Sequence, residues 1–420
     1  MDPADRILIY AELLSNLRQI SVSCSLPTPS GDSTGNTLKE NCQLLTVKHA
    51  GLEASVRLAA QVNPLYQVAP IWPLRTSCIS WRLPLLPTTL SPSARPPYEE
   101  HVIPWPASDV EPDSHIACRA CNTAIVEAGL IKVWKDLPSE NWAEMMEFWH
   151  CHKPNDHGHD HDDDLTSKAY GASSRISAQP GIGFVDLSSF LLSESDISAS
   201  AITQSLASLE LCNDVRSCNE TPKNGDSRRL QPENLPIFCK SCKIQLGVLS
   251  DQTSVSLFKW QVSVKQRIDT VTKGLPNLSH CFSAMLIATM ARSGCSKSII
   301  LPMKHRDQPD QNIPYEVSKP GSLLYIWVFN KNIAFSSTEE PRSPLLAVKV
   351  FYRMVSQEEA DKLLDSMTSD VQDITLPIDA INKILQTLNR SNSFLPKKDR
   401  QLMDWNVGLL EKWDDRANNW

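Results

Sequence analysis

No nucleotide-binding signature occurs in this chain of 420 residues. There is no Gly-x-Gly-x-x-Gly after a strand-like run and no phosphate loop ending in Gly-Lys-Ser/Thr, which argues against a nucleotide-driven enzyme. His-Glu-x-x-His and Gly-x-Ser-x-Gly are also missing, which argues against a zinc protease of that type and an α/β-hydrolase. No block of Lys and Arg interleaved with aromatics appears, and the net charge is −7. Direct nucleic-acid binding needs a clustered basic footprint, so any link to nucleic acid would run through a protein partner. No uncharged run reaches membrane-spanning length, so no membrane contact is expected. Acidic residues precede the short apolar run Ile7–Tyr10, unlike a signal peptide. The expected compartment is cytoplasmic or nuclear, where thiols stay reduced. The twelve cysteines then favour metal binding, packing or chemistry over disulfides.

What is present is mostly period two. Leu52, Ala54, Val56 and Leu58 alternate, as do Ile79, Trp81 and Leu83, so 1–85 reads as a β-rich N-terminal region. Residues 86–100, rich in Pro, Ser and Thr, read as a linker. The block 101–253 opens on a strand-like Ile103-Pro104-Trp105 and carries polar insertions at 153–180 and 193–235 that are expected to be disordered. A strand is expected within Gly181–Leu192. The block 254–420 is α+β. Phe258, Trp260, Val262 and Val264 alternate, His280–Arg292 is a helix candidate, and Leu323–Phe329 suits a buried strand. Leu346, Val348, Val350 and Tyr352 alternate again. Ser356 with Glu359 forms a capping box, Pro377 opens a second helix, and Trp405, Val407 and Leu409 make a last strand. The expected fold is β-rich α+β: antiparallel sheets in a sandwich-like body with a few helices, long polar insertions and a pair of zinc knuckles.

Two Cys-x-x-Cys pairs, Cys118/Cys121 and Cys239/Cys242, carry the strongest site signal. Each places two thiolates on one tight turn, and two such turns complete the tetrahedral shell of a structural zinc. The long spacer implies that the site staples remote parts of one domain. Asn122, and Gly247 after the second pair, suit turns with unusual backbone angles. The alternative is four separately buried or free thiols. A redox role is disfavoured because neither pair sits in a βαβ context.

Between the pairs lies Trp149-His150-Cys151-His152. Imidazoles beside a cysteine lower its pKa, and the thiolate attacks thioesters. Cys151 is therefore a candidate nucleophile, with a buried structural thiol or a competing metal ligand as alternatives. Trp142, Met145, Met146 and Trp149 share one helical face, which fits core packing. The His/Asp tract 157–164 offers ligands that nothing nearby would orient.

The run Leu137-Pro138-Ser139-Glu140-Asn141-Trp142, the Trp149–His152 motif, the early Tyr10–Gln19 segment and Cys239–Gly247 together resemble the HECT-like, E2-binding E3 ubiquitin-protein ligase family. Gly183-Phe184, Ala347–Tyr352 and Leu376-Pro377 follow in the same order. The resemblance covers roughly 7–413 outside the polar insertions. It implies a ubiquitin-conjugating enzyme (E2), ubiquitin and a protein substrate as partners, and polyubiquitination as the activity. It also implies a link to the pre-mRNA 3′-end processing machinery as a partner-binding factor. A true HECT domain keeps its catalytic cysteine near the C-terminus, whereas the last cysteine here is Cys295. Cys151 is then the expected thioester site, and Trp142, Trp149, His150 and His152 are the expected partner-binding residues.

Overall fold

Alternating apolar residues build sheets at both ends of the chain, and the two ends pair with each other. The computed structural model describes residues 6–66, 75–86, 103–137, 177–204, 235–250, 253–265, 274–303, 322–339, 344–366 and 370–413. Unit 1 comprises Met1–Ile103, Asn277–Met303 and Gln311–Trp420; unit 2 comprises Pro104–Pro276 and Lys304–Asp310. The sequence reading divides the chain into consecutive blocks, whereas the contacts join its first and last parts. The physical reason is a strand pairing: Leu8–Leu14 lies antiparallel to Ser322–Ser337, with Tyr10 opposite Ser337.

Unit 1 holds a nine-stranded sheet. Its main path runs Gln401–Leu402, Trp405–Glu411, Leu345–Ser356, Ser322–Ser337, Leu8–Leu14, Gln19–Ser25 and Cys78–Pro84. Lys297–Pro302 pairs with the first half of the long strand Ser322–Ser337 and lies parallel to Val371–Leu376. The strand Leu8–Leu14 is central, so both its faces are buried. Ile9 and Ala11 pack with Ile20, Val22, Leu45 and Val56, while Tyr10 packs with Phe335, Phe351 and Leu409. A separate three-stranded sheet, Gly35–Lys39, Leu44–His49 and Leu52–Arg57, supplies part of the first cluster.

Three α-helices occur among the described residues, all in unit 1. α1 is Leu278–Ser293. Asn277 caps it by accepting from His280 N, and the His280 ring accepts in return from Asn277 N. Such a cap stabilises a helix by about 1 kcal/mol. Gly294, at φ 72°, ends it. α2, Gln357–Asp365, starts where Ser356 accepts from Glu359 N. α3, Ile378–Ser393, buries Ile381, Ile384, Leu385 and Leu388 on one stripe. Pro377 takes its N-cap position, one residue before the first helical position expected from sequence.

Unit 2 is a seven-stranded and a three-stranded sheet. The larger runs Ile202–Gln204, Leu235–Cys239, Gln245–Leu249, Ser254–Phe258, Ser189–Ser193, Ile182–Val185 and Val133–Asp136. Its last pair is parallel. The smaller runs Val262–Val264, Ile116–Cys118 and Ala124–Val126. Four local expectations change here. Residues 194–204, expected within a disordered insertion, are ordered, because Ile197 and Ala201 are buried and Ile202–Gln204 pairs with Leu235–Cys239. Gly181–Leu192 is two antiparallel strands rather than one. Phe258 to Val264 is two strands in different sheets, because the chain turns at Lys259–Gln261. Ile103-Pro104-Trp105 is not a strand: Trp105 has φ 52°, and its buried indole stacks on Phe190 at 6.1 Å. The left-handed backbone at a bulky residue is costly, and burial of a full indole offsets it. The described residues form the expected β-rich α+β fold of mostly antiparallel sheets. Among the described residues no helix is long and apolar enough to cross a membrane.

Candidate metal centre

Each Cys-x-x-Cys pair sits at the bend of a β-hairpin. Cys118 ends the strand Ile116–Cys118, and Cys121 lies in the turn before Ala124–Val126. Cys239 ends Leu235–Cys239, and Cys242 lies in the turn before Gln245–Leu249. The two turns have the same hydrogen-bond pattern. Cys118 N donates to Thr123 O and Asn122 N to Cys118 O, each at 2.8 Å. Cys239 N donates to Ile244 O and Lys243 N to Cys239 O, again at 2.8 Å. The residue after each second cysteine is left-handed, Asn122 at φ 60° and Lys243 at φ 62°. Asn tolerates this region; Lys does so only under tertiary constraint.

The hairpins belong to different sheets and point their thiols at one spot. The four sulfurs lie within 4.8 Å of one another. Cys118 Sγ is 3.6 Å from Cys242 Sγ, and Cys121 Sγ is 3.5 Å from Cys239 Sγ. Those separations are far beyond a disulfide, and all four cysteines are free. Sulfurs at about 2.3 Å from a tetrahedral centre stand about 3.8 Å apart, so the spacing fits one cation of that kind. Cys118 and Cys239 are buried; Cys121 and Cys242 are half-buried.

The thiols differ in acidity. Burial pushes Cys118 up to about 12. A hydrogen bond from the Thr123 hydroxyl, 3.1 Å away, and another from its backbone bring Cys121 down to about 6. Four mutually repelling thiolates at this spacing need a cation to coexist at neutral pH. Thr123 is a supporting residue that no sequence pattern singles out. Gly247 lies outside the turns, in the strand after the second pair, and its close neighbour is the backbone of Ser256 and Leu257.

Cys151, Trp142, Trp149, His150 and His152 lie outside the described residues, as does the His/Asp tract 157–164. Unit 1 has one further concave feature of note, a cavity of about 630 Å³ lined by Leu278, Phe335, Lys383, Arg390, Phe394 and Glu411 among others. At its edge Glu411 Oε2 accepts from Asn277 Nδ2 at 3.1 Å and lies 3.5 Å from His280 Nε2. The His280 hydrogen bond holds the Glu411 carboxyl below its usual range.

A β-rich protein with a four-cysteine centre joining two hairpins is the class that this geometry defines. The family model described as HECT-like ubiquitin-conjugating enzyme (E2)-binding matches residues 12–407, and the chain belongs to that family. An uncharacterized protein of Schizosaccharomyces pombe is 23% identical over 329 residues, which cover 75% of this chain and 79% of the relative. An E3 ubiquitin-protein ligase of Homo sapiens is 22% identical over 320 residues, covering 70% of this chain and 72% of the relative. The Pongo abelii protein of the same name is 23% identical over 305 residues, covering 70% and 72%. No solved structure matches the chain. Family membership carries an E2-binding, ubiquitin-pathway role.

Proposed function

We propose that this chain is an E3 ubiquitin-protein ligase that binds an E2, accepts ubiquitin on Cys151 as a thioester, and passes it to substrate lysines. The observation that carries this reading is the family match over 12–407, with mammalian relatives named as E3 ligases. In the first step the Cys151 thiolate attacks the ubiquitin carbonyl of the E2 thioester, and the E2 thiolate leaves. In the second, a neutral lysine amine attacks the new thioester. The Cys151 thiolate leaves, and the amine's extra proton goes to solvent. Splitting one transfer into two exchanges of a good leaving group lowers each barrier. His150 and His152 favour the thiolate of Cys151 when protonated. Trp142 and Trp149 are the anchors offered to the partner.

Cys151, Cys212 and Cys218 lie outside the described residues, and of these three only Cys151 is flanked by imidazoles in sequence, which supports it as the nucleophile. Among the described cysteines outside the four-sulfur cluster, Cys24, Cys42 and Cys281 are buried, and Cys78 and Cys295 are half-buried. Burial pushes Cys24 up to about 12. The cluster itself we assign to one structural zinc held by Cys118, Cys121, Cys239 and Cys242, because a closed four-thiolate shell leaves no position for water or substrate. A reducing compartment, cytoplasm or nucleus, suits such a centre.

The test is incubation with E1, a broad E2 panel and labelled ubiquitin, resolved without reductant. A thiol-sensitive adduct on wild type that disappears in Cys151→Ser is the expected result. No adduct with any E2 refutes the thioester step. In that case the second reading stands: a non-catalytic partner-binding factor, such as one for the RNA 3′-end processing machinery. The family description specifies E2 binding, which supports the partner-binding part of that reading and not the RNA-processing partner. Loss of partner capture by Trp149→Ala, with Cys151→Ser still binding, is its expected signature.

A further inference from the structure

The two halves of the cysteine cluster ride on two different sheets, so the angle between those sheets decides whether four sulfurs converge. The corner between them is the turn Lys259–Gln261. On one side of it Ser254–Phe258 belongs to the seven-stranded sheet; on the other Val262–Val264 belongs to the three-stranded sheet. Ser254–Phe258 pairs with Gln245–Leu249, the strand that leaves the second cysteine turn. Val262–Val264 pairs with Ile116–Cys118, with Val262 opposite Cys118.

Arg119, the residue after Cys118, grips both sides of this corner. Its backbone N donates to Gln261 O at 2.9 Å. Its guanidinium donates to Lys259 O at 3.0 Å and to Val262 O at 3.0 Å and 3.3 Å. A further donation reaches Pro276 O at 2.8 Å. The planar fork suits several carbonyls at once in a way an ammonium cannot. Within the same corner Lys259 is fully buried, and its Nζ donates to Pro104 O at 2.6 Å and to Asp186 O. The corner is thus held by cations bonded to backbone oxygens, with Arg119 placed inside the first cysteine turn.

We propose that Arg119 is the positioning residue of the metal centre, setting the angle at which the Cys118/Cys121 turn meets the Cys239/Cys242 turn; this rests on the metal reading above. Its guanidinium bonds go to backbone carbonyl oxygens. It acts by keeping the two half-shells in register before the cation arrives, so that binding need not supply that ordering. Groups that orient metal ligands typically govern affinity by about 10–100-fold.

The experiment uses the full chain as wild type, Arg119→Gln, Arg119→Lys and Ser391→Ala, the last a destabilised control in unit 1. Each is stripped, reloaded with Co²⁺ or Zn²⁺, and measured for cobalt–thiolate absorption, for metal transfer to a chromophoric chelator, and for Tm. The expected result is metal affinity about 10–100-fold weaker in Arg119→Gln, with faster transfer and an altered cobalt spectrum. Arg119→Lys falls between it and wild type, and Ser391→Ala keeps wild-type affinity despite its lower Tm. Where Arg119→Gln does not fold, Arg119→Lys decides by the same readings. Wild-type affinity and spectrum in the Arg119 variants overturn the inference while leaving the metal reading intact. A wild-type chain that takes up neither ion overturns the metal reading, and this inference with it.

Discussion

Replacing Gly247 by Ala adds one methyl group where two strands meet. Gly247 lies opposite Leu257 in the antiparallel pair of Gln245–Leu249 with Ser254–Phe258. An added Cβ would overlap the Ser256 carbonyl oxygen and stand 2.9 Å from Leu257 Cα. Both obstacles are backbone, so no rotamer change relieves them. The strands must separate, at an overpacking cost of about 1–3 kcal/mol. Ladder hydrogen bonds then stretch, at about 1 kcal/mol each. A total near 3 kcal/mol in a unit of this size lowers Tm by about 6–12 °C. The strand begins three residues after Cys242, so metal release should also quicken. The assay is thermal denaturation with parallel zinc determination on Gly247→Ala. Gly35→Ala serves as the control, since nothing lies within 4 Å of its added Cβ. Equal Tm values for the two variants would refute the close-approach argument.

Cys118→Ser and Cys239→Ser should each yield protein with substoichiometric zinc and a lower Tm, because losing one thiolate opens the shell; zinc retained at one equivalent in either would count against the four-sulfur site. Ser391→Ala should cost about 1–3 kcal/mol in urea denaturation, since the buried Leu409 N–H, 2.8 Å from Ser391 Oγ, loses its acceptor. Glu411 titrates below its usual range, so its contribution is complete above the unfolded value of about 4.3 and is lost as pH falls through the folded value. Glu411→Gln should therefore flatten the acid limb of the stability–pH profile, and an unchanged limb would exclude Glu411 as its source.

The residues of the metal cluster were legible from sequence because Cys-x-x-Cys is a local geometry: two thiols on one turn need only that turn. Strands were legible where apolar residues alternate along the chain, as at Leu52–Arg57 and Trp405–Glu411. Alternation misled at Phe258–Val264, where a continuous period-two pattern crosses from one sheet to another. Gly247 does not serve the cysteine turn it follows. Its value lies in a cross-strand approach that no neighbour in sequence reports, while the left-handed positions fall to Asn122 and Lys243.

Composition and periodicity by themselves determined the β-rich class, the three helices and the two half-shells, because each depends on contacts within a few residues. Tertiary structure alone decided that Leu8–Leu14 pairs with Ser322–Ser337 and that the two cysteine turns converge. It also decided that Arg119 and Lys259 hold the corner between their sheets. Those contacts join residues 73 to more than 300 positions apart, and the partners of Arg119 and Lys259 are backbone carbonyls, which every residue carries and no sequence pattern marks.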